Sequence, residues 1–435
     1  MQYHPVIDSF ATIPILSPPV ALSFIALFAL AAFLTIRRPS YGLALLLFAI
    51  PFDAAHAVAG TTIGIPKMLL LGVIVGMLSR PAAWKALATG LPLRVLAGFG
   101  IMLLPIVIGG LGAAHHVPVA REFLKWIEYA CFFAVGVATY ESDRNDRLIV
   151  AAWIASIACV CASALIQEFI GAPWGIYFGA GIAPRISGAI EGPNQLAGYL
   201  ESAVALLGAW NVTAPSRIKS ALLAVVGLTL MLTFSRSGVV GTFVVALVVI
   251  AYSRRSWLRA LGSLVGGSIA GACAAFAWSV VASRSLLLSV SSASPLRPTE
   301  STYAGGVGTR SELWRAALAM WRAHPFFGVG AGNYELELAQ YGLPGVRTHS
   351  NSWYLQSLAE GGVAGLLATL VFLALVVTSL ASRARSSPWA LAALAATVGL
   401  AVHQIADYLV FYPKVAEPWI VLIALGVATP PSRCD

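Results

Sequence analysis

Apolar stretches, each about 17 to 25 residues and so long enough to cross a hydrocarbon core of about 30 Å as a helix, recur along nearly the whole chain, and polar residues collect in the gaps between them. Candidate spans run from Pro19 to Ile36, Tyr41 to Val58, Thr62 to Ser79, Leu93 to Leu111, Val119 to Tyr140, Leu148 to Ile170, Gln195 to Val212, Ala221 to Phe234, Gly238 to Tyr252 and Ala260 to Ala282. After a gap come Trp353 to Ala381, Trp389 to Leu409 and a short one from Pro418 to Ala428. The pattern predicts an all-α polytopic membrane protein with about 12 transmembrane helices. Tyr41 to Val58 contains Pro51 and Asp53 and reads as bent or re-entrant. The opening MQYHPVIDSF lacks the basic start and cleavage site of a signal peptide, so the first apolar stretch is expected to be retained as a membrane helix.

The long hydrophilic insertion runs from Ser283 to Ser350 and carries helix signals. Thr309-Arg310-Ser311-Glu312 fits a capping box, with Thr309 as cap and Glu312 reaching back. Trp314, Leu318 and Trp321 then recur at i, i+4 and i+7 as an apolar stripe. His324-Pro325 and the glycines of GVGAG end that helix, and Asn333 is placed to cap a second short one through YELELAQYG. Such a pair would lie on the membrane surface over a cavity. Three parts follow: a transmembrane helix bundle over 1–282, a loop domain with short amphipathic helices over 283–350, and C-terminal transmembrane helices over 351–435. No internal repeat is evident, and low complexity is confined to the SVSSASP run.

Composition agrees with this solvent. Of 435 residues 59% are hydrophobic and 10% charged, and mean hydropathy is +0.83; a soluble domain carries about 25% charged residues. The net charge of +9 sits largely in short loops, which is the positive-inside bias and implies no nucleic-acid partner. Arg37-Arg38, Arg80 with Lys85, Arg144 with Arg147, Arg217 with Lys219, Arg254-Arg255 with Arg259, and Arg383 with Arg385 fall in alternate loops, which are assigned to the cytoplasm. The outward set comprises the segments near His56 and His115-His116, from Gly171 to Asn194, around Ser235 to Ser237, from Ser283 to Ser350, and around Tyr408 to Lys414. Four of five cysteines lie in apolar segments, so neither a disulfide framework nor a zinc site is suggested.

Within the outward set, Arg347-Thr348-His349-Ser350-Asn351-Ser352-Trp353 runs directly into a long apolar helix. His349 would stand at a helix N-terminus, where the dipole disfavours imidazolium and a neutral, proton-accepting ring is favoured. A histidine that merely bonds a neighbour fits the same position. Arg310 occupies the first turn of the capped helix, a ready anion site. Arg236, in TFSRSG, and Arg185, in PRISG, lie on the side where positive charge is normally depleted. Glu191 or Glu360 would serve as purely structural partners. Three outward arginines with few nearby carboxylates point instead to a phosphate or pyrophosphate ligand. Arg121, Lys125 and Glu128 stand at helical spacing and read as a local ion-pair network. His115-His116 lacks a third ligand at recognisable spacing, so no metal site is expected. There is no Walker loop, no Rossmann fingerprint and no HExxH, hence no sign of nucleotide hydrolysis, of zinc proteolysis or of a cofactor.

Taken together, TFSRSG, GTRSELW, HPFFGVGAGNY and HSNSWYLQSLAEGG resemble the Wzy-C superfamily of O-antigen ligases, O-antigen polymerases and pilin oligosaccharyltransferases. The resemblance covers Pro184 to Gly362 by motif and the whole chain by helix pattern. It implies a GT-C-like, inverting, metal-independent glycosyltransferase of the bacterial inner membrane, acting on the periplasmic side. The donor would be O-antigen on undecaprenyl pyrophosphate and the acceptor a sugar hydroxyl of lipid A-core, with membrane lipids around both. On that resemblance His349 is the catalytic base and Arg236 and Arg310 bind the donor pyrophosphate; Arg185 is added from its outward location. The ligase reading leads over polymerase and pilin oligosaccharyltransferase because the chain is compact and has no extra soluble domain. From another class, a secondary transporter or flippase also fits a helix bundle with internal charges.

Overall fold

Proline opens many of the helices, at a position where its missing N–H removes no intrahelical bond. The computed structural model describes residues 17–53, 56–58, 61–170, 177–178, 184–253, 262, 265–273, 276–277 and 309–428. Prolines in the first turn start α1 (Pro18–Arg37), α2 (Pro39–Ala49), α3 (Ile65–Met77) and the short α4 (Pro81–Trp84). There follow α5 (Gly90–Gly110), α6 (His116–Ser142), α7 (Asp146–Ile170), α8 (Pro193–Thr213), α9 (Arg217–Leu232), α10 (Arg236–Tyr252) and a helical stretch α11 (265–273). The second half holds α12 (Arg310–Ala323), α13 (Tyr334–Glu337), α14 (Trp353–Ala381), α15 (Pro388–His403) and α16 (Pro413–Ala428). Two small antiparallel hairpins complete the set, β1 (His56–Val58) with β2 (Thr61–Ile63), and β3 (Tyr177–Phe178) with β4 (Pro184–Arg185).

The protein is thus a helical membrane protein, but span length is uneven. Among the described residues α1, α5, α7 and α14 are long and apolar enough to cross a membrane, and α3 with Pro81–Ala88, bent by 110°, makes a possible fifth. Pro39–Phe52, α10 and α15 are apolar but shorter. The stretch from Tyr41 to Val58 is not one helix: α2 gives way to a 3-10 turn at Ile50–Phe52, and Asp53 Oδ1 then accepts the Ile65 N–H at 2.8 Å. Trp389 to Leu409 likewise ends as a helix at His403. The decapeptide at the start, SVSSASP and much of Ala260 to Ala282 lie outside the described residues.

An aromatic stack joins four helices near the middle of the bundle. Phe99 of α5 meets Phe372 of α14 at 5.1 Å between ring centroids, Trp126 of α6 meets Phe372 at 5.7 Å, and Trp419 of α16 meets Phe372 at 6.3 Å and Trp353 at 6.4 Å. Such pairs add about 0.5–1.5 kcal/mol each beyond burial. Trp353 is the first residue of α14, so this stack fixes the end of the helix that follows His349.

Long-range bonds sort the connections into two ends. At one, Ser40 Oγ donates to Asp143 at 2.6 Å, Trp389 Nε1 to Asp146 at 2.8 Å, and Arg383 to the Val427 carbonyl at 2.6 Å. At the other, the segments around His115, Arg185, Thr233, Asn333, His349 and Tyr408–Lys414 are cross-linked to one another. The described parts of these segments, all expected to face outward, therefore share an end.

The capping box is formed as read: Thr309 accepts the Glu312 N–H and Glu312 accepts the Thr309 N–H. The apolar row of α12 is displaced from the expected stripe, however. Leu313, Ala316, Ala317 and Met320 are buried, packing with Tyr334, Leu338, Val346 and Ala359, while Trp314, Leu318 and Trp321 lie half-buried along its flank. Asn333 does not cap α13; its side chain brackets the His115 backbone, accepting the N–H and donating to the carbonyl at 3.0 Å each.

The GVGAG and AEGG motifs are two halves of one joint. At Gly362, φ +62° interrupts α14, and the freed Val363 and Ala364 N–H groups donate to the Pro325 and Phe326 carbonyls. Val329 and Gly330 N–H groups in turn donate to the Ala359 and Glu360 carbonyls at 3.0 Å. Gly328 has φ +65°, and a Cβ there would overlap the Ala359 and Glu360 backbone. Gly328→Ala is expected to loosen this joint, since left-handed strain and overpacking are each worth about 1–3 kcal/mol. A lower melting midpoint of the detergent-solubilised protein is the readout, and an unchanged midpoint sinks the idea.

Candidate functional site

The polar run before α14 is first of all that helix's cap. Ser352 accepts the Leu355 N–H, Gln356 Oε1 accepts the Ser350 N–H at 2.8 Å, and Ser350 Oγ donates to the Ser352 carbonyl at 2.9 Å. Asn351 is held at φ +54°, uncommon for a residue with a side chain. Its N–H points at His349 Nδ1, 3.3 Å away. An amide N–H only donates, so Nδ1 carries the lone pair and the neutral ring keeps its hydrogen on Nε2, 2.9 Å from the Tyr412 hydroxyl. Tyr408, Phe411 and Tyr412 enclose the ring at centroid distances of 5.7, 5.8 and 5.9 Å.

That enclosure decides the protonation state. Burial pushes the His349 pKa below its ordinary value, Lys125 and Arg310 push the same way, and Asp407 opposes them. The ring is neutral at pH 7 and able to take a proton.

Arg310 is the first residue of α12, with its side chain 48% exposed. Its Nη2 lies 4.0 Å from Asp407 Oδ2, and Asp407 is 1% exposed. Asp407, rather than Glu191 or Glu360, is thus the carboxylate facing this arginine. Its Oδ1 accepts the Tyr408 N–H at 2.8 Å, while Oδ2 is buried without a hydrogen-bond partner among the described residues. Through its carbonyl Asp407 also accepts the Trp353 N–H at 2.9 Å. One turn therefore touches both the arginine and the helix that follows the histidine.

Arg236 and Arg185 form a second group. Arg185 Nε donates to the Thr233 carbonyl at 2.8 Å and its Nη2 to Asn194 at 2.7 Å. This guanidinium clasps the turn between α9 and α10 to the start of α8, and so sets the position of Arg236. Ser235 caps α10 by accepting the Gly238 N–H at 3.3 Å. Arg236 itself is exposed and makes no hydrogen bond or ion pair with another described residue. The two groups are tied through Lys414, which donates to the Ala189 carbonyl at 2.9 Å and stands 3.8 Å from Glu191.

Other expectations are revised. Lys125 pairs with Glu122 at 2.6 Å and Glu128 with Lys67 at 3.2 Å, in place of a single network with Arg121. Lys125 also lies 5.0 Å from the Phe411 ring centre, against the histidine's aromatic wall. His115 faces Glu337 at 3.7 Å, and His116 Nδ1 is 3.1 Å from the Gly110 carbonyl. Glu360 accepts from the Tyr334 N–H and the Gln356 amide. The sequence reading passed over Tyr412 and gave Asp407 no role. The available signal was the aromatic-rich run Asp407-Tyr408-Leu409-Val410-Phe411-Tyr412 in a turn expected to face outward.

Residues 221–370 match the family model described as O-Antigen ligase, Wzy_C. The matched stretch begins in α9, ends within α14, and takes in Arg236, Arg310 and His349. This region is of the O-antigen ligase-like family, in agreement with the motifs. No curated protein matches the chain.

Proposed function

We propose that this membrane protein is an O-antigen ligase, transferring polysaccharide from undecaprenyl pyrophosphate to a sugar hydroxyl of lipid A-core at the periplasmic face of the inner membrane. The carrying observation is that His349 packs against Tyr408, Phe411 and Tyr412 of the same turn whose Asp407 faces Arg310, with His349 and Arg310 both inside the family-matched stretch. The basic loops at the opposite end support a cytoplasmic assignment for that end, and about 12 spans of uneven length, in a GT-C-like arrangement, is the topology this reading requires.

The chemistry needs few parts. A sugar hydroxyl is a poor nucleophile, so His349 takes its proton on Nδ1, giving up the Asn351 N–H contact, as the new bond to the anomeric carbon forms. The bond from that carbon to the pyrophosphate oxygen breaks on the opposite face, inverting the centre, and the electron pair leaves with the pyrophosphate. Arg310 and Arg236 supply positive charge where negative charge grows; Arg185 holds the turn on which Arg236 sits. Pyrophosphate is already a stable anion, so neither a general acid nor a metal ion is needed.

Purified protein, lipid-linked O-antigen and lipid A-core, mixed in detergent with EDTA and no ATP, test the reading. The expected product is lipid A-core carrying the long glycan on a gel. Elongated lipid-linked glycan would make the protein a polymerase, glycan on a pilin an oligosaccharyltransferase, and no transfer at all would leave the transporter class.

A further inference from the structure

Deep in the bundle, behind Asp407, lies a titratable pair that the proposed chemistry does not use. Glu201 in the middle of α8 and His403 at the end of α15 are both 0% exposed, and His403 Nδ1 is hydrogen-bonded to Glu201 Oε1. The remaining polar atoms, Glu201 Oε2 and His403 Nε2, are buried without a hydrogen-bond partner among the described residues, as is Asp407 Oδ2. Asp407 acts electrostatically on both members of the pair, and Arg310 acts on His403.

Helix α10 makes room for this carboxylate: a Cβ at Gly241 would collide with it, whereas a Cβ at Gly399 of α15 would meet Val245 and the Gly241 carbonyl first. Helix α10 is the one that begins at Arg236. On the other side, the pair sits at the foot of the 403–410 turn. Within that turn the His403 carbonyl accepts the Ala406 N–H at 3.1 Å, the Gln404 and Asp407 carbonyls both accept the Trp353 N–H, and Gln404 Oε1 accepts the Val410 N–H at 2.9 Å. A buried ion pair is weak evidence for stability, because apolar residues of like volume commonly serve as well. Ionisable groups inside a membrane bundle more often mark function.

We propose that Glu201 and His403 are positioning residues of the transfer site, holding the 403–407 turn so that the Asp407 carboxylate meets Arg310 with His349 close by. The proposal rests on the transferase reading. It makes α8 and α15 part of the site's scaffold through one hydrogen bond.

Glu201→Gln, Asp407→Asn and the double variant, assayed for glycan transfer per folded molecule, provide the test. The single Glu201→Gln is expected to lower kcat about tenfold with both KM values within about twofold, and to add nothing in the Asp407→Asn background, as coupled sites do. Where Glu201→Gln fails to fold, His403→Phe, which fills the ring's space and removes the donor to Glu201, is read in the same way. A parental kcat per folded molecule, or a full multiplicative loss on top of Asp407→Asn, overturns the proposal and leaves the pair a structural tie. No transfer by the parental protein is a different result: it removes the transferase reading itself.

Discussion

Replacing His349 with alanine is expected to lower glycan transfer by about 10²- to 10⁴-fold, the range a positioned general base contributes. The loss should fall on kcat, since no charge that attracts the donor is removed. His349→Gln is expected to be as inactive: glutamine restores a hydrogen bond to Tyr412 and takes no proton. The pH profile carries the sign of the argument. A base works while neutral, and burial puts the His349 pKa below its ordinary value, so the rate should hold as pH falls past about 6.5 and fail only at more acid pH. In the charged form Nε2–H still meets the Tyr412 hydroxyl, 2.9 Å away, and Asp407 stabilises the imidazolium. Initial rates of the purified variants decide the matter, and a His349→Ala protein with the parental rate ends the assignment.

What could be read from the sequence was what depends on near neighbours. The Thr309–Glu312 capping box spans one helical turn and formed as expected. Apolar stretches located the helices, because each must hide its own backbone polarity. Their lengths were less legible: Pro51 and Asp53 convert one apolar stretch into a short helix, a turn and a backbone clasp. His349 and the arginines stood out because charge on the outward side needs a reason.

Partnership across the chain was invisible. Asn333 looked like a cap and instead brackets His115, 218 residues away, and Glu201 finds His403 at a separation of 202. Nothing near Asp407 in the sequence points to Arg310; only the turn after α15 sets the two against each other. The glycine motifs identified the family, but the sequence could not show that one half breaks α14 for the other to enter. Much of that recognisable block is therefore a joint, with His349 presented from its edge.

Arg310→Ala is expected to reduce kcat by about 10²- to 10³-fold, the size of effect seen when one preorganised donor to a developing anion is lost. Helix α12 should survive the change, because its cap is made by Thr309 and Glu312 and its buried row by Leu313, Ala316, Ala317 and Met320. Arg310→Lys should fall between, keeping the charge and losing the planar fork. A competing cause has to be separated, however. Asp407 is 1% exposed and faces Arg310 at 4.0 Å, so removing the arginine also strips a buried carboxylate of its counter-charge, which is itself harmful. Adding Asp407→Asn to Arg310→Ala removes that orphaned charge. If Arg310 serves the donor, the double variant stays as slow as Arg310→Ala. Recovery of most of the rate would instead mean that Arg310 exists to neutralise Asp407, and the pyrophosphate cradle would then have to rest on Arg236.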